Sequence, residues 1–300
     1  MTESCLRHLR RQTVPHNVIV SDNASTDGTA GEVRNSFPDV RLVEMGSNLG
    51  FPVACNRGAE AGTSDVVVVL NNDVDARPDF LERLIEPLES DPTVGSVAAL
   101  LLRPGELLID GIGLTADATL TGYLRLAGRP VHEAHADRPV LVGPSGGAAA
   151  YRREAWEQAG GLDETVFAYM EDLDLAFRLL MADWKPEAAP DAVGVHLGSA
   201  SMGHRSAWQR REFAFSRGYF LRRYGVLRSR AVLRTLATEA LIVGGDAVLS
   251  RDLAALRGRL AGWRAASGRP RHARPPEDAL DAEITFVRSL RRRRATYARA

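Results

Sequence analysis

Five consecutive apolar residues, Val66-Val67-Val68-Val69-Leu70, rise from Asp65 and stop in Asn71-Asn72-Asp73-Val74-Asp75. A short β-branched run between polar boundaries predicts a strand buried on both faces. The same alternation recurs along the chain. Residues 3–13 predict an amphipathic helix, 18–20 a strand, 40–44 a strand, 52–62 a helix and 80–90 a helix. Residues 94–102 predict another strand, and 153–159 and 172–182 two further helices. Strands alternating with helices at this spacing predict an α/β fold: a Rossmann-like, mostly parallel sheet with helices on both faces. Residues 103–142 break the rhythm with glycines and a hairpin expected near 115–126, an insertion placed over the strand ends. Beyond about Ala207 the chain reads as helical and basic.

Charge sharpens that division. Residues 1–202 hold 16 Lys+Arg against 30 Asp+Glu, and residues 203–300 hold 22 against 8. The boundary expected separates an acidic α/β domain over 1–204 from a basic helical extension over 205–300. Two cysteines, Cys5 and Cys55, exclude a disulfide scaffold and a cysteine zinc site. No apolar run reaches the roughly 18–20 residues a membrane span needs. No signal peptide is recognisable, since Arg7, Arg10 and Arg11 precede no apolar core. The expected location is cytoplasmic, with peripheral contact at the inner face of the cell membrane.

Carboxylates just past a strand's C-terminal end sit where open α/β sheets bind ligands. Asp73 and Asp75, beside Asn71 and Asn72, offer hard oxygen donors suited to Mg²⁺ or Mn²⁺. Taken alone, the stretch fits a capped strand-to-helix turn equally well. The polar loop Asp22 to Gly28 is longer than a single turn needs. Glu171, Asp172 and Asp174 crowd one helix start, where they either complement its dipole or supply a general base against a hydrophobic wall. His196 follows an apolar stretch and is a candidate extra ligand to an Asp-bound ion.

In order, Val20-Ser21-Asp22-Asn23-Ala24-Ser25-Thr26-Asp27-Gly28, Asn48-Leu49-Gly50-Phe51, Asn56-Arg57-Gly58, Leu70-Asn71-Asn72-Asp73, Gly161-Leu162-Asp163-Glu164 and Glu171-Asp172-Leu173-Asp174 resemble the family 2 inverting glycosyltransferases of the GT-A fold, in their rhamnosyltransferase-like branch. The resemblance runs from about Glu3 to Tyr224. It implies that Asp22 contacts the nucleotide base and that Asn48, Gly50, Asn56, Arg57 and Asn72 line the nucleotide pocket. Asp73 is then the ligand to a diphosphate-bound Mg²⁺ or Mn²⁺, supported by Asp75 and His196, and Asp172 the catalytic base. Asp163, Glu164, Glu171 and Asp174 fall on the acceptor side. The partners implied are a UDP- or dTDP-sugar donor and a glycan or lipid-linked acceptor for cell-envelope polysaccharide or glycolipid synthesis.

Two departures accompany the likeness. The family opens on an apolar strand that this chain lacks, so an upstream start is expected. Asn71 and Asn72 replace acids and weaken metal affinity. A rival reading follows from them, a sugar-nucleotide-binding protein without turnover. The eight arginines of residues 205–230, interleaved with aromatics, read either as a helix packed on the body or as a surface for anionic membrane. No nucleic-acid motif accompanies the charge.

Overall fold

The computed structural model describes residues 1–198 and 206–298. Its elements run α1 (Thr2–Leu9), β1 (Ile19–Asp22), α2 (Thr29–Ser36), β2 (Arg41–Glu44), α3 (Phe51–Ala61), β3 (Val66–Leu70), β4 (Val74–Ala76), α4 (Phe80–Ser90) and β5 (Val94–Leu102). The insertion holds β6 (Ile109–Gly111), β7 (Leu114–Ala116) and β8 (Gly122–Leu124). After it come β9 (Ala148–Arg152), α5 (Arg153–Ala159), α6 (Glu171–Met181), β10 (Lys185–His196), α7 (Ala207–Arg223), α8 (Val232–Ser250), α9 (Ala254–Ala265) and α10 (Phe286–Ala298).

The central sheet has the order β3-β9-β5-β10-β4, with β6 added on β5, while β1 and β2 form a separate parallel pair. β3, β5 and β10 point the same way, and β9 and β4 run against them. The reversal of β9 follows from the insertion. β5 delivers the chain to the sheet's C-terminal edge, residues 103–147 stay at that edge, and the return strand must enter from there.

The strand buried on both faces is β5, whose nine residues are all buried at the sheet's centre. β3 forms over the expected residues but lies at the sheet's edge, and only Val67 in it is fully buried. Among the described residues β3 is paired on its β9 side alone and β1 on its β2 side alone. The main core packs α4 leucines and Phe80 against Val94, Val97 and Leu101 of β5. Burial of such side chains contributes roughly 1.5–3 kcal/mol each.

The C-terminal helices are keyed into this body. α7 turns Tyr219, Phe220 and Tyr224 inward, where Phe220 and Tyr224 pack on Phe177 of α6. Arg217, 1% exposed, donates to the carbonyls of Thr119 and Leu120 in the insertion and pairs with Glu239 of α8. Arg259 of α9 shares Glu239, whose pKa falls to about 2: burial pushes it up, and the two guanidiniums more than reverse that. A buried pair left half-empty costs several kcal/mol, so these helices hold one arrangement against the insertion.

α7 and α9 meet backbone to backbone. A Cβ on Gly262 would sit 1.9 Å from the Phe215 carbonyl oxygen, and one on Gly218 2.1 Å from that of Arg259. Gly244 and Gly245 of α8 face open space. Gly262→Ala is therefore expected to lower stability by about 1–3 kcal/mol. Gly244→Ala, which only removes backbone freedom within a helix, should raise it by about 0.5–1 kcal/mol. Chemical denaturation of the two variants checks the contrast.

Candidate active site

Three separate chain regions converge at the C-terminal edge of the sheet. β3 ends at Leu70, and the chain turns through Asn71-Asn72-Asp73 into β4, which pairs antiparallel with the end of β10. That register sets His196 opposite Val74, and the Leu197 amide donates to the Asp73 carbonyl at 2.9 Å. The His196 Nε2 lies 3.3 Å from Asp73 Oδ2, and its Nδ1 2.8 Å from Asp110 Oδ2 on β6. Arg103 reaches the other Asp110 oxygen at 3.5 Å.

This arrangement raises the His196 pKa to about 10, first through the hydrogen bond to Asp110 and then through that to Asp73, against the cost of burial. Burial pushes the Asp110 carboxyl up, but the His196 hydrogen bond and the His196 and Arg103 charges reverse this and leave it lowered. Asp73 is buried, and its Oδ1 has no hydrogen-bond partner. A buried carboxylate oxygen without a partner is costly; a divalent ion at that oxygen would satisfy it and, by displacing the Nε2 proton, would gain that nitrogen as a second donor. Asp73 and His196 supply an oxygen–nitrogen donor pair suited to such an ion. Asp110 faces the opposite ring nitrogen, so it orients the imidazole and does not share an ion with Asp73.

The second group is joined to the first by two glycines. The Gly147 carbonyl accepts from the Asn71 amide at 2.9 Å, and the Gly146 amide donates to Asp172 Oδ2 at 3.0 Å. A Cβ on Gly146 would fall 3.2 Å from the Phe51 ring and 3.8 Å from Asp172 Oδ2. The bare dipeptide thus keeps a gap beside the Asp172 carboxylate. Asp172 sits half-buried in the first turn of α6, and burial raises its pKa against the Gly146 and Leu173 amides that lower it.

Glu171, its neighbour, points the other way into the protein. It is buried, its Oε2 has no partner, and its pKa is pushed to about 8, first by burial and then by the Asp172 charge. Adjacent positions on a helix diverge by about 100°, so one carboxylate is left half-exposed at the sheet edge and the other is buried where its protonated form is favoured. Immediately before them Tyr169 and Met170 both adopt left-handed backbone, with φ of 72° and 67°. Such residues persist only where surrounding contacts hold them. Ser216 donates to the Ala168 carbonyl at 2.9 Å, and Phe167 meets Trp208 edge-on.

Two loops on the N-terminal side interlock with that turn. Asp22, at the end of β1, is buried and accepts from the Ser25 amide. Asn23 bridges by accepting from the Leu49 amide and donating to the Gly50 carbonyl. Gly50, at φ 94°, lets the Phe51 amide reach the Phe167 carbonyl; a Cβ there would fall 2.5 Å from that oxygen. Asn48 is exposed and accepts from the Gly50 amide.

Other expected site residues are occupied elsewhere. Asn56 is buried and spends its amide on Leu162 and Glu164, pinning the loop between α5 and α6. Arg57 is exposed and doubly bonded to Glu60. Asp75 accepts from Ser4 and faces His8 of α1, and Asn72 is exposed and donates to Thr2. Asp163, Asp174 and His272 bring metal-type donors within 4.8 Å of one another. Their donors are engaged: Tyr219 on Asp163, Tyr224 and Arg178 on Asp174, and Arg223 on His272. The group ties α6 to α7 and the segment after α9.

The family model "Glycosyl transferase family 2" matches residues 1–160. The chain belongs to this family. It is 32% identical over 221 residues to the N-acetylglucosaminyl-diphospho-decaprenol L-rhamnosyltransferase of Mycobacterium tuberculosis, covering 64% of this chain and 70% of that protein. It is 27% identical to the pre-mycofactocin glycosyltransferase of the same organism, over 81% of this chain and 49% of that one. The fold is that of the GT-A glycosyltransferases. The mannosyltransferase PcManGT from Pyrobaculum calidifontis, solved with GDP-Man and Mn²⁺, superposes with TM-score 0.52 at 23% identity, over 99% of this chain and 80% of that chain. GalNAc-T7, solved with UDP, GalNAc and Mn²⁺, gives TM-score 0.54 at 13% identity over 72% and 46%.

Sequence reading of this glycosyltransferase misses Asp110 and the role of Gly146-Gly147. Asp110 lies in a three-residue strand inside the irregular insertion, where no motif marks it. The glycines are visible as a turn signal, but their contact with Asp172 depends on β9 running backwards.

Glu171 also makes a stability prediction. Its folded pKa, about 8, exceeds the ordinary 4.5. The folded state therefore binds the extra proton, and the stabilising contribution is full below pH 4.5 and lost as pH rises towards 8. Glu171→Gln should leave stability near wild type at pH 5 and raise it above wild type at pH 8. Thermal melts across that window check the sign.

Proposed function

We propose that this glycosyltransferase moves a sugar, rhamnose-like in character, from a UDP- or dTDP-sugar to an acceptor hydroxyl with inversion. The acceptor class is a lipid-linked glycan of the kind named for its mycobacterial relative, placing the reaction in cell-envelope polysaccharide or glycolipid synthesis. One observation carries the reading. The half-buried Asp172 carboxylate and the Asp73–His196 pair face one sheet edge and are held together through Gly146-Gly147.

A divalent cation, Mg²⁺ or Mn²⁺, would be held by Asp73 and His196, with Asp110 fixing the imidazole. When bound it would neutralise the departing diphosphate as a Lewis acid. The chain's own residues do the rest. Asp172 takes the acceptor hydroxyl proton as attack begins, with a pKa raised towards the working range of a general base. The Gly146 amide holds its carboxylate in place. Asp22 and the Asn23-linked loops form the nucleotide side, and Asn56 acts by positioning the Gly161-Leu162 turn. A base on the face opposite the leaving group gives a single displacement.

The test is turnover on a panel of dTDP- and UDP-sugars, L-rhamnose among them, with a polyprenyl-diphosphate-linked N-acetylglucosamine and Mn²⁺. Product anomeric configuration is read by NMR. Asp172→Asn should lower kcat by about 10²–10⁴-fold while nucleotide binding by calorimetry stays intact. Binding without turnover on any donor would favour the non-catalytic reading, and retained configuration would overturn inversion. Asp110→Asn should weaken Mn²⁺ binding by about 10–100-fold, measured by titration calorimetry in the presence of nucleoside diphosphate.

A further inference from the structure

We propose that the α8–α9 hairpin is the surface by which this protein rests on an anionic phospholipid bilayer. The basic, aromatic stretch that begins the C-terminal region is largely spent internally. Arg210 pairs with Asp246 and Asp252, Arg217 with Glu239, and Tyr219, Phe220 and Tyr224 are buried. The exposed apolar surface lies further on, along the outer side of two helices.

In α8, Leu233, Leu241 and Val248 recur at helical spacing on the solvent side, and Leu249 follows; Leu233, Val248 and Leu249 are 79%, 77% and 86% exposed. Leu256 and Leu260 add exposed apolar side chains on α9. So many exposed leucines and valines on one hairpin mark a surface that binds something apolar.

Charge identifies the occupant. Every acidic side chain of the hairpin is paired with arginine: Glu239 with Arg217 and Arg259, and Asp246 and the part-exposed Asp252 with Arg210. The exposed charges left beside the leucines are Arg251, Arg257 and Arg264, which form no ion pair among the described residues. Leucines flanked by cations of one sign fit the headgroup boundary of an anionic bilayer. A second copy of the same surface would bring like charges together. No helix among the described residues is long and apolar enough to cross a membrane, so the hairpin lies on the surface.

The position suits a lipid-linked acceptor, and to that extent the inference rests on the proposed function. α9 contacts the backbone of α7 through Gly258 and Gly262. α7 in turn holds the 163–170 loop through Ser216 and Tyr219. That loop leads directly into Asp172. A hairpin seated on the bilayer would therefore hold the base at a fixed place relative to the headgroup layer.

Co-sedimentation of the full chain with phosphatidylcholine vesicles, with and without phosphatidylglycerol, tests this without any turnover. Binding is expected to the anionic vesicles only and to weaken with salt. Val248→Gln with Leu249→Gln, both on open surface, should lose about tenfold or more in vesicle affinity with an unchanged melting temperature. Arg257→Gln with Arg264→Gln should remove the preference for phosphatidylglycerol. Absence of wild-type binding, equal binding to neutral vesicles, or unaltered binding by the leucine-face variant would overturn the proposal. So would a concentration-dependent dimer abolished by the same variant. Failure of the sugar-transfer assay with intact vesicle binding would count against the proposed function alone.

Discussion

One imidazole between two carboxylates organises the C-terminal edge of this protein's sheet. His196 joins the end of β10 to the loop after β3 through Asp73 and to the insertion through Asp110. Its two nitrogens face different partners, so the ring cannot rotate without losing both. The carboxylate on the far side fixes the ring, and the one on the near side keeps an oxygen without a partner. The sheet geometry makes this meeting possible, because β4 runs antiparallel to β10 and sets Asp73 just beyond their shared end.

A second constraint places the other half of the site. The chain leaves β5 at the C-terminal edge and returns as β9 from the same edge, which brings Gly146 and Gly147 between Asn71 and Asp172. Two adjacent carboxylates then acquire different characters from their surroundings alone. Glu171 is buried with one oxygen lacking a partner and its pKa pushed up to about 8, while Asp172 stays half-exposed with two amides on its oxygens. Neither character is a property of the residue type. Both depend on the left-handed turn at Tyr169 and Met170, which α7 holds from outside. The C-terminal helices thus help to shape this edge.

Much of the α/β frame was legible in the sequence because apolar runs and helical periodicity are local signals. β3, α4, β5 and α5 fall on the residues those patterns predict. β9 and β10 were not legible: Ala148-Ala149-Ala150 and Lys185-Pro186-Glu187 carry no strand propensity, and pairing with β5 decides their state. The placement of β3 at an edge was equally invisible, since a buried and a half-buried valine run look alike. Of the residues expected at the site, the structure sets Asp73, Asp172 and His196 at one edge. Asn56, Asp75 and Asp163 are each engaged by a partner from a distant segment. Side-chain type offers a donor or an acceptor, but only tertiary contact reveals whether it is already taken. Asp110 is the converse, an acid with no motif that gains its role from a neighbour 86 residues away.

The central claim is that Asp73 and His196 form the cation site and that Asp163, Asp174 and His272 form a structural cluster. Anomalous diffraction at the manganese edge, from crystals grown with Mn²⁺ and a nucleoside diphosphate, separates the two directly. The account predicts a single strong peak within coordination distance of the Asp73 carboxylate and the His196 Nε2. A peak at the Asp163–Asp174–His272 cluster, with none at Asp73, would contradict it.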